Sequence, residues 1–339
     1  MRKFFLFSFA FLLMLPSVFG QELLFNSEGQ FKIVQFTDIH YNGSKESVAA
    51  LNVLDSVLVK ERPDLIVLTG DIIWGNPAKA NLLTVLNRIS QYNIPFVYEF
   101  GNHDHEQGLS NRDLYAIARR VPNNLLPNLA GQPELDYVLQ IKDHHGKKNA
   151  AILYCLDSHA YPKGFPKDQS HGTYAWLTFD QVNWYRQQSQ AMRKANHGDA
   201  LPALAFFHIA LPEYRTAASD ENATLIGTRR EEACSPNYNS GMFTAMMEGE
   251  DVMGIFVGHD HDNDYAVMWS NILLAYGRYS GGNTVYNHMK PGARVIILEE
   301  GKRRFKTYIR EWDGRVCDES VYPDSYVPDD WTARPLQQY

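Results

Sequence analysis

Five times along this chain a short apolar run ends directly on residues of the kind that bind metal ions. Ile33-Val-Gln-Phe-Thr37 runs into Asp38-Ile-His40, and Leu65-Ile-Val-Leu-Thr69 into Gly70-Asp71. Phe96-Val-Tyr-Glu-Phe100 runs into Gly101-Asn-His-Asp104, Leu204-Ala-Phe-Phe207 into His208, and Gly254-Ile-Phe-Val257 into Gly258-His-Asp-His261. Apolar runs of this length, with β-branched and aromatic residues, read as strands. Ligands at the carboxyl ends of strands share one rim of a sheet, which is where α/β sheets bind ligands. In Asp-x-His and His-x-His the spacing of two points both side chains the same way on an extended chain. The glycines let the backbone turn sharply, so that the next side chain reaches inward. Singly, each segment has a plainer reading: a loop carboxylate, a turn, a core histidine or, for Asn-His-Asp, a helix cap. Five in order, each after a strand, point to one site.

The segments between them alternate in kind. Residues 44–61 carry Val48, Leu51, Leu54, Val57 and Leu58 at helical spacing, and Pro63 stops the helix. Helices are also expected over 78–92, 111–120, 178–195 and 241–249. A hairpin is expected from 137–141 and 150–156, around the turn His144-His-Gly-Lys-Lys148. Later strands fall near 265–269, 272–276, 294–298 and 305–310. Residues 211–240 are polar and irregular and read as a long loop, and the stretch from Trp312 has little pattern. Helical crossovers early in the chain favour parallel pairing, and the later hairpins antiparallel pairing. There is no linker or repeat, so the expectation is one domain over 21–311 with a tail at 312–339.

The first twenty residues read as a signal peptide. Arg2 and Lys3 precede an apolar run, Phe4 to Leu15, broken only by Ser8, and Pro16, Val18 and Gly20 suit a cleavage region. The run is too short for a spanning helix, which needs about 20 apolar residues. The expected location is therefore periplasmic or secreted, with no membrane span after cleavage. The chain has 39 acidic against 32 basic residues and no basic stripe, so duplex nucleic acid is not an expected partner. Of three cysteines, Cys155 lies in an apolar run and reads as a core thiol. Cys234 and Cys317 are the candidate pair for a bridge, which sequence alone does not establish.

The ordered set Asp-x-His, Gly-Asp, Gly-Asn-His-Asp, His, Gly-His-x-His resembles that of the calcineurin-like metallophosphoesterase superfamily, over residues 31–300. The resemblance implies a four-layer α/β/β/α sandwich of mixed β-sheets flanked by helices, and a site holding two metal ions. Carried over motif by motif, it implies Asp38, His40, Asp71 and His261 on one ion. Asp71, Asn102, His208 and His259 would hold the other, with Asp71 as the bridge. His103 would sit over the site, stabilising charge or protonating the leaving oxygen. Downstream, Cys234-Ser-Pro, Asn239-Ser-Gly241, residues 258–265 and Tyr276-Gly-Arg-Tyr279 resemble a subgroup with plant purple-acid-phosphatase-like proteins and fungal dosage-dependent cell-cycle regulator phosphoesterases.

The chemistry of the donors agrees with this. Carboxylate, imidazole and amide donors without thiolate suit two divalent ions of Mn, Zn or Fe. Two ions about 3.5–4 Å apart can clamp the attacking and leaving oxygens of an in-line displacement, with a bridging hydroxide as nucleophile. The expectation is hydrolysis of small phosphate esters, monoesters ahead of diesters or nucleotides. A closed pocket would favour monoesters, and residues 159–176 and 211–240 should decide it. The rival is a non-catalytic metal- or ligand-binding protein, but degenerate members normally lose a ligand and every motif position here is filled. In purple acid phosphatases a Tyr three residues after the bridging Asp binds ferric iron. Trp74 holds that position here, and indole cannot replace a phenolate. Arg278 reads either as a phosphate-binding or as a structural residue. His105, His159, His171, His197 and His288 match no motif, and His144 and His145 read as solvated turn residues.

Overall fold

A computed structural model describes residues 22–163 and 174–327, and in it the apolar runs become strands of two mixed sheets. The expected signal peptide, the end of the expected tail and His171 lie outside the described residues. The chain begins with β1 (Leu23–Leu24), β2 (Gln30–Phe36), α1 (Val48–Glu61), β3 (Leu65–Thr69), α2 (Ala78–Ser90) and β4 (Phe96–Glu99). A 3-10 turn (Asp104–Gln107) and α3 (Asn111–Ala118) lead to the hairpin of β5 (Tyr137–Lys142) and β6 (Asn149–Cys155). Next come α4 (Phe179–Ala195), β7 (Ala203–Phe206), α5 (Pro212–Ala217), β8 (Leu225–Ile226) and α6 (Met242–Gly249). The remainder is β9 (Val252–Val257), β10 (Ala266–Trp269), β11 (Ile272–Tyr276), β12 (Gly292–Glu299), β13 (Phe305–Glu311) and β14 (Val316–Tyr322).

One sheet runs β14-β13-β12-β2-β3-β4 and the other β1-β5-β6-β7-β9-β11-β10-β8. The strands joined by helical crossovers, β2-β3-β4 and β6-β7-β9, pair in parallel. The hairpins β12-β13, β13-β14 and β10-β11 are antiparallel. Alternation along β7 shows how the layers form. Leu204 and Phe206 join the core between the two sheets, together with Ile33, Val67 and Val97. Ala203 and Ala205 face the other way, into a second core with Tyr185, Tyr214 and Met246. A strand's side chains alternate between faces, so a run apolar on both faces is covered on both. Helices α1, α2 and α3 pack with the first sheet and α4, α5 and α6 with the second, completing the four-layer α/β/β/α sandwich.

Two expectations need correction. Residues 211–240 are not a plain loop: Pro212 opens the short helix α5, and Leu225–Ile226 adds an edge strand beside β10. The expected tail begins with β14, which pairs antiparallel with β13 and extends the first sheet. Its hydrophobic signal is faint because it is an edge strand with Asp318 and Glu319 at its centre, and charge on edges is common.

Candidate metal centre

Strands β2, β3 and β4 are neighbours, and so are β7 and β9 in the facing sheet, so their carboxyl ends meet at one rim. All seven candidate ligands converge there, each with less than a tenth of its surface exposed. Six of them fall into two groups whose donor atoms lie within 4.8 Å of one another: Asp38, His40 and His261, and Asp71, His208 and His259. Nε2 of His40 is 3.0 Å from Nε2 of His261 and 3.8 Å from Oδ1 of Asp38. In the second group Nε2 of His208 is 3.3 Å from Oδ2 of Asp71 and 3.2 Å from Oδ1 of Asn102. That same Oδ2 lies 3.8 Å from Nε2 of His40, so one oxygen of Asp71 faces both groups.

The remaining atoms of these side chains are held by the protein. Asp38 Oδ2 accepts from the Thr37 hydroxyl at 2.7 Å and from the backbone N–H of His259 at 3.0 Å, which turns Oδ1 to the site. Asp71 Oδ1 accepts the His103 N–H at 2.8 Å. His208 Nδ1 meets the Thr69 carbonyl at 2.8 Å and His261 Nδ1 the Tyr286 carbonyl at 2.9 Å, so both present Nε2. Ligand histidines are commonly fixed in this way through the other ring nitrogen.

Asp104 also acts on the site, though it is not among the candidate ligands. Its buried carboxylate accepts N–H bonds from Asp71, Ile72, Ile73 and Gly101 at 2.8–3.1 Å, tying together the loops after β3 and β4. Burial and the Asp71 charge push its pKa up to about 7, against the amides that pull it down.

Backbone strain gathers at the same place. Asp38, His40, Asp71 and His259 have φ of 54°, 48°, 52° and 79°, the left-handed region that non-glycine residues avoid. Such residues cost of order 1–3 kcal/mol each and persist where the surroundings over-determine them. Of the motif glycines, Gly70 (φ 86°) takes up a left-handed turn. Gly101 and Gly258 instead give room: a β-carbon on Gly258 would stand 2.8 Å from Oδ2 of Asp38.

The electrostatics suit cations. Burial opposes charge on Asp71 and Asp38, yet His208 holds Asp71, and His261 with His40 hold Asp38, below the usual carboxylate range. Burial also opposes charge on His208, but the Asp71 carboxylate pushes it up to about 10. Burial, followed by the His208 charge, drives His259 down to about 3. Asp38 Oδ1 and His259 Nε2 are buried and hydrogen bond to nothing. An orphaned buried acceptor costs about 1–3 kcal/mol, and a metal ion would satisfy both. Spacings of 3.0–3.8 Å between donors also suit bonds of about 2.0–2.2 Å to a shared ion. The donors therefore fit two divalent ions.

Aromatic rings wall the rim. Trp74 lies 6.2 Å from the His40 ring and 6.0 Å from that of His103, and Tyr286 stacks on His261 at 4.5 Å. On the other flank Tyr174 meets the His259 ring at 4.4 Å, and the Tyr161 hydroxyl accepts from Asn102 Nδ2 at 3.3 Å. Sequence reading did not single out Asp104, Tyr161, Tyr174 or Tyr286. Only Asp104 carried a signal, as the last residue of Gly-Asn-His-Asp. His103 sits beside the ligands, its ring 5.6 Å from that of His40. Arg278 is structural: it is buried, paired with Asp264 and Glu311, and donates to the Lys290 carbonyl. His159 bonds Gln181 and His288 pairs with Asp262, while His144 meets Glu300. All three cysteines are free, so the candidate bridge is absent.

Comparison with known proteins points the same way. The family model described as calcineurin-like phosphoesterase matches residues 31–263. The chain is 32% identical to the "Probable inactive purple acid phosphatase 14" of Arabidopsis thaliana, over 83% of this chain and 78% of that one. It is 31% identical to "Phosphatase DCR2" of Saccharomyces cerevisiae, over 76% of this chain and 49% of the yeast protein. A dimetal phosphatase from Danio rerio shares the fold with a TM-score of 0.61, at 14% identity, over 86% of this chain and 98% of that one.

Proposed function

The chain belongs to the calcineurin-like phosphoesterase family, and from that premise we propose that it hydrolyses small phosphate esters, monoesters ahead of diesters and nucleotides. The observation that carries this reading is the pair of donor groups facing one oxygen of Asp71, with Asp38 Oδ1 and His259 Nε2 buried without a hydrogen bond. Asp38, His40, Asp71 and His261 would hold one divalent ion, and Asp71, Asn102, His208 and His259 the other. When bound, the ions supply Lewis-acid polarisation of the phosphoryl oxygens and lower the pKa of an attacking water. The protein orients the ester through these ligands. His103, beside them and partly exposed, is placed to protonate the leaving oxygen. Mn, Zn or ferrous iron suits the donor set, which offers no thiolate and no phenolate at Trp74.

One feature supports monoesters. Trp74 and Tyr286 stand on one flank of the site and Tyr161 and Tyr174 on the other, so aromatic walls rise on both sides of the donor groups. A diester needs room for a second ester group. The test compares p-nitrophenyl phosphate with bis(p-nitrophenyl) phosphate under Mn, Zn and ferrous iron in turn. Faster turnover of the monoester is expected, and a faster diester would reverse the preference.

A non-catalytic role is the second reading, favoured by the word "inactive" in the name of the Arabidopsis relative. Against it, all seven donor positions here are filled and buried together. The basic and apolar start of the chain supports export to the periplasm or beyond, so mature protein from the native host should begin near Gln21. Intact Met1 on cytoplasmic protein would contradict that.

A further inference from the structure

The 3-10 turn after β4 carries two carboxylates that do different work. Asp104 points inward and gathers the four amides of the ligand loops. Glu106 points outward and gathers side chains. Nδ1 of His103 donates to Glu106 Oε2 at 2.7 Å, and the Tyr161 hydroxyl donates to Oε1 at 2.9 Å. Tyr161 in turn accepts from Asn102 Nδ2 at 3.3 Å. The directions in this chain are consistent at every link, because a carboxylate can only accept and each of its oxygens takes one donor.

We propose that Glu106 is a positioning residue that sets the ring of His103 and, through Tyr161, the amide of Asn102. The proposal rests on the reading of His103 as proton donor and Asn102 as ligand. Local geometry explains the pairing. His103 caps the 3-10 turn and Glu106 lies three residues on, and side chains at i and i+3 eclipse in that helix. With Nδ1–H committed to Glu106, Nε2 is the ring nitrogen left to take up a second proton and, from the resulting imidazolium, hand it to the leaving oxygen. With Nδ2 of Asn102 committed to Tyr161, Oδ1 is turned towards His208 Nε2, where a metal ion would be held. One carboxylate thus aligns a proton donor and a ligand that are adjacent in sequence but act on different parts of the ester. Both His103 and Glu106 side chains are about one-third exposed, so the ion pair adds little to folding and its removal should leave the fold intact.

The test uses the full chain with Glu106→Gln and Tyr161→Phe. Imidazole ¹⁵N NMR of the metal-free protein should place the His103 proton on Nδ1. In Glu106→Gln the proton should redistribute towards Nε2, because the amide can also donate to the ring. In Mn-loaded protein Glu106→Gln should slow hydrolysis of glycerol phosphate about 10- to 100-fold, the range for such supporting partners. It should slow p-nitrophenyl phosphate much less, since that leaving group needs little protonation, and two ions per chain should remain. Tyr161→Phe should weaken Mn binding without changing the preference between the two esters. An unchanged His103 tautomer in Glu106→Gln would overturn the proposal, as would equal slowing of both esters. If instead the NMR shift appears but the unaltered chain hydrolyses neither ester, the positioning stands and the phosphoesterase reading falls.

Discussion

Gly101 is packed so tightly on Asp71 that a β-carbon there would stand 2.6 Å from the Asp71 carboxyl carbon. The obstacle includes the Asp71 backbone nitrogen, so no side-chain rotation relieves it. Gly101→Ala should therefore push the shared carboxylate out of place. Overpacking of this kind typically costs 1–3 kcal/mol. Thermal unfolding should show the lower stability, and metal analysis a loss of bound ions. Wild-type metal content in the alanine variant would contradict this account of the glycine.

Asp71 and His103 should separate cleanly on mutation. Asp71→Asn removes the one oxygen that faces both donor groups as an anion, so both metal content and activity should fall sharply. His103→Ala should retain its ions but turn over about 10²–10⁴-fold more slowly, the usual loss for a general acid. Metal analysis and steady-state rates on the same preparations decide it. Loss of ions from His103→Ala would show that the roles are misassigned.

The donors of the site were legible in sequence because each directly follows a strand, and parallel neighbours bring strand ends together. What supports them was not. Glu106 reaches His103 only through a four-residue 3-10 turn, too short to leave a periodic signature. Tyr161, Tyr174 and Tyr286 stand in loops, where no hydrophobic period marks which way a ring points. The motif glycines were read as turning points, but Gly101 and Gly258 matter for the space they leave. In the fold, β14 was hidden by its own edge charges, and α5 by a polar stretch in which Pro212 was the one helix signal.

Glu61 gives a test of the fold that does not depend on the metals. At the end of α1 its buried carboxylate accepts from Tyr308 at 2.7 Å, from Arg310, and from Lys32 at 3.3 Å. Burial alone would raise its pKa, but Tyr308 and Arg310 bring it below the ordinary value. A lowered folded-state pKa stabilises above the unfolded value, about 4.3, and that stability is lost as pH falls through the folded value. Hydrogen bonds to a charged group contribute about 1.5–3 kcal/mol. Glu61→Gln should cost about that at pH 7 in urea unfolding, with the gap closing as the pH falls below about 4. A gap independent of pH would rule out the carboxylate charge as its source.

Iron-loaded, oxidised protein should not be purple. Trp74 stands where a tyrosinate would be needed; Tyr41 pairs with Ile73 in a backbone bridge, and Tyr238 packs on Trp176. Phenols near the donors include Tyr161, Tyr174, Tyr279 and Tyr286. Burial pushes the first up to about 12, with Glu106 adding to the shift, and burial raises the other three too, so none of them ionises readily. A visible spectrum should lack a tyrosinate-to-iron band, and its appearance would mean that one of these rings binds the metal.

The central claim is that two ions held around Asp71 hydrolyse phosphate esters. The direct measurement is a titration of metal-stripped protein with Mn(II), following bound metal and p-nitrophenyl phosphate hydrolysis in the same samples. Hydrolysis should climb with loading and level off at two ions per chain. Two bound ions with no hydrolysis above the Mn(II) blank, repeated with Zn and ferrous iron, would contradict the claim and leave a metal-binding protein without this activity.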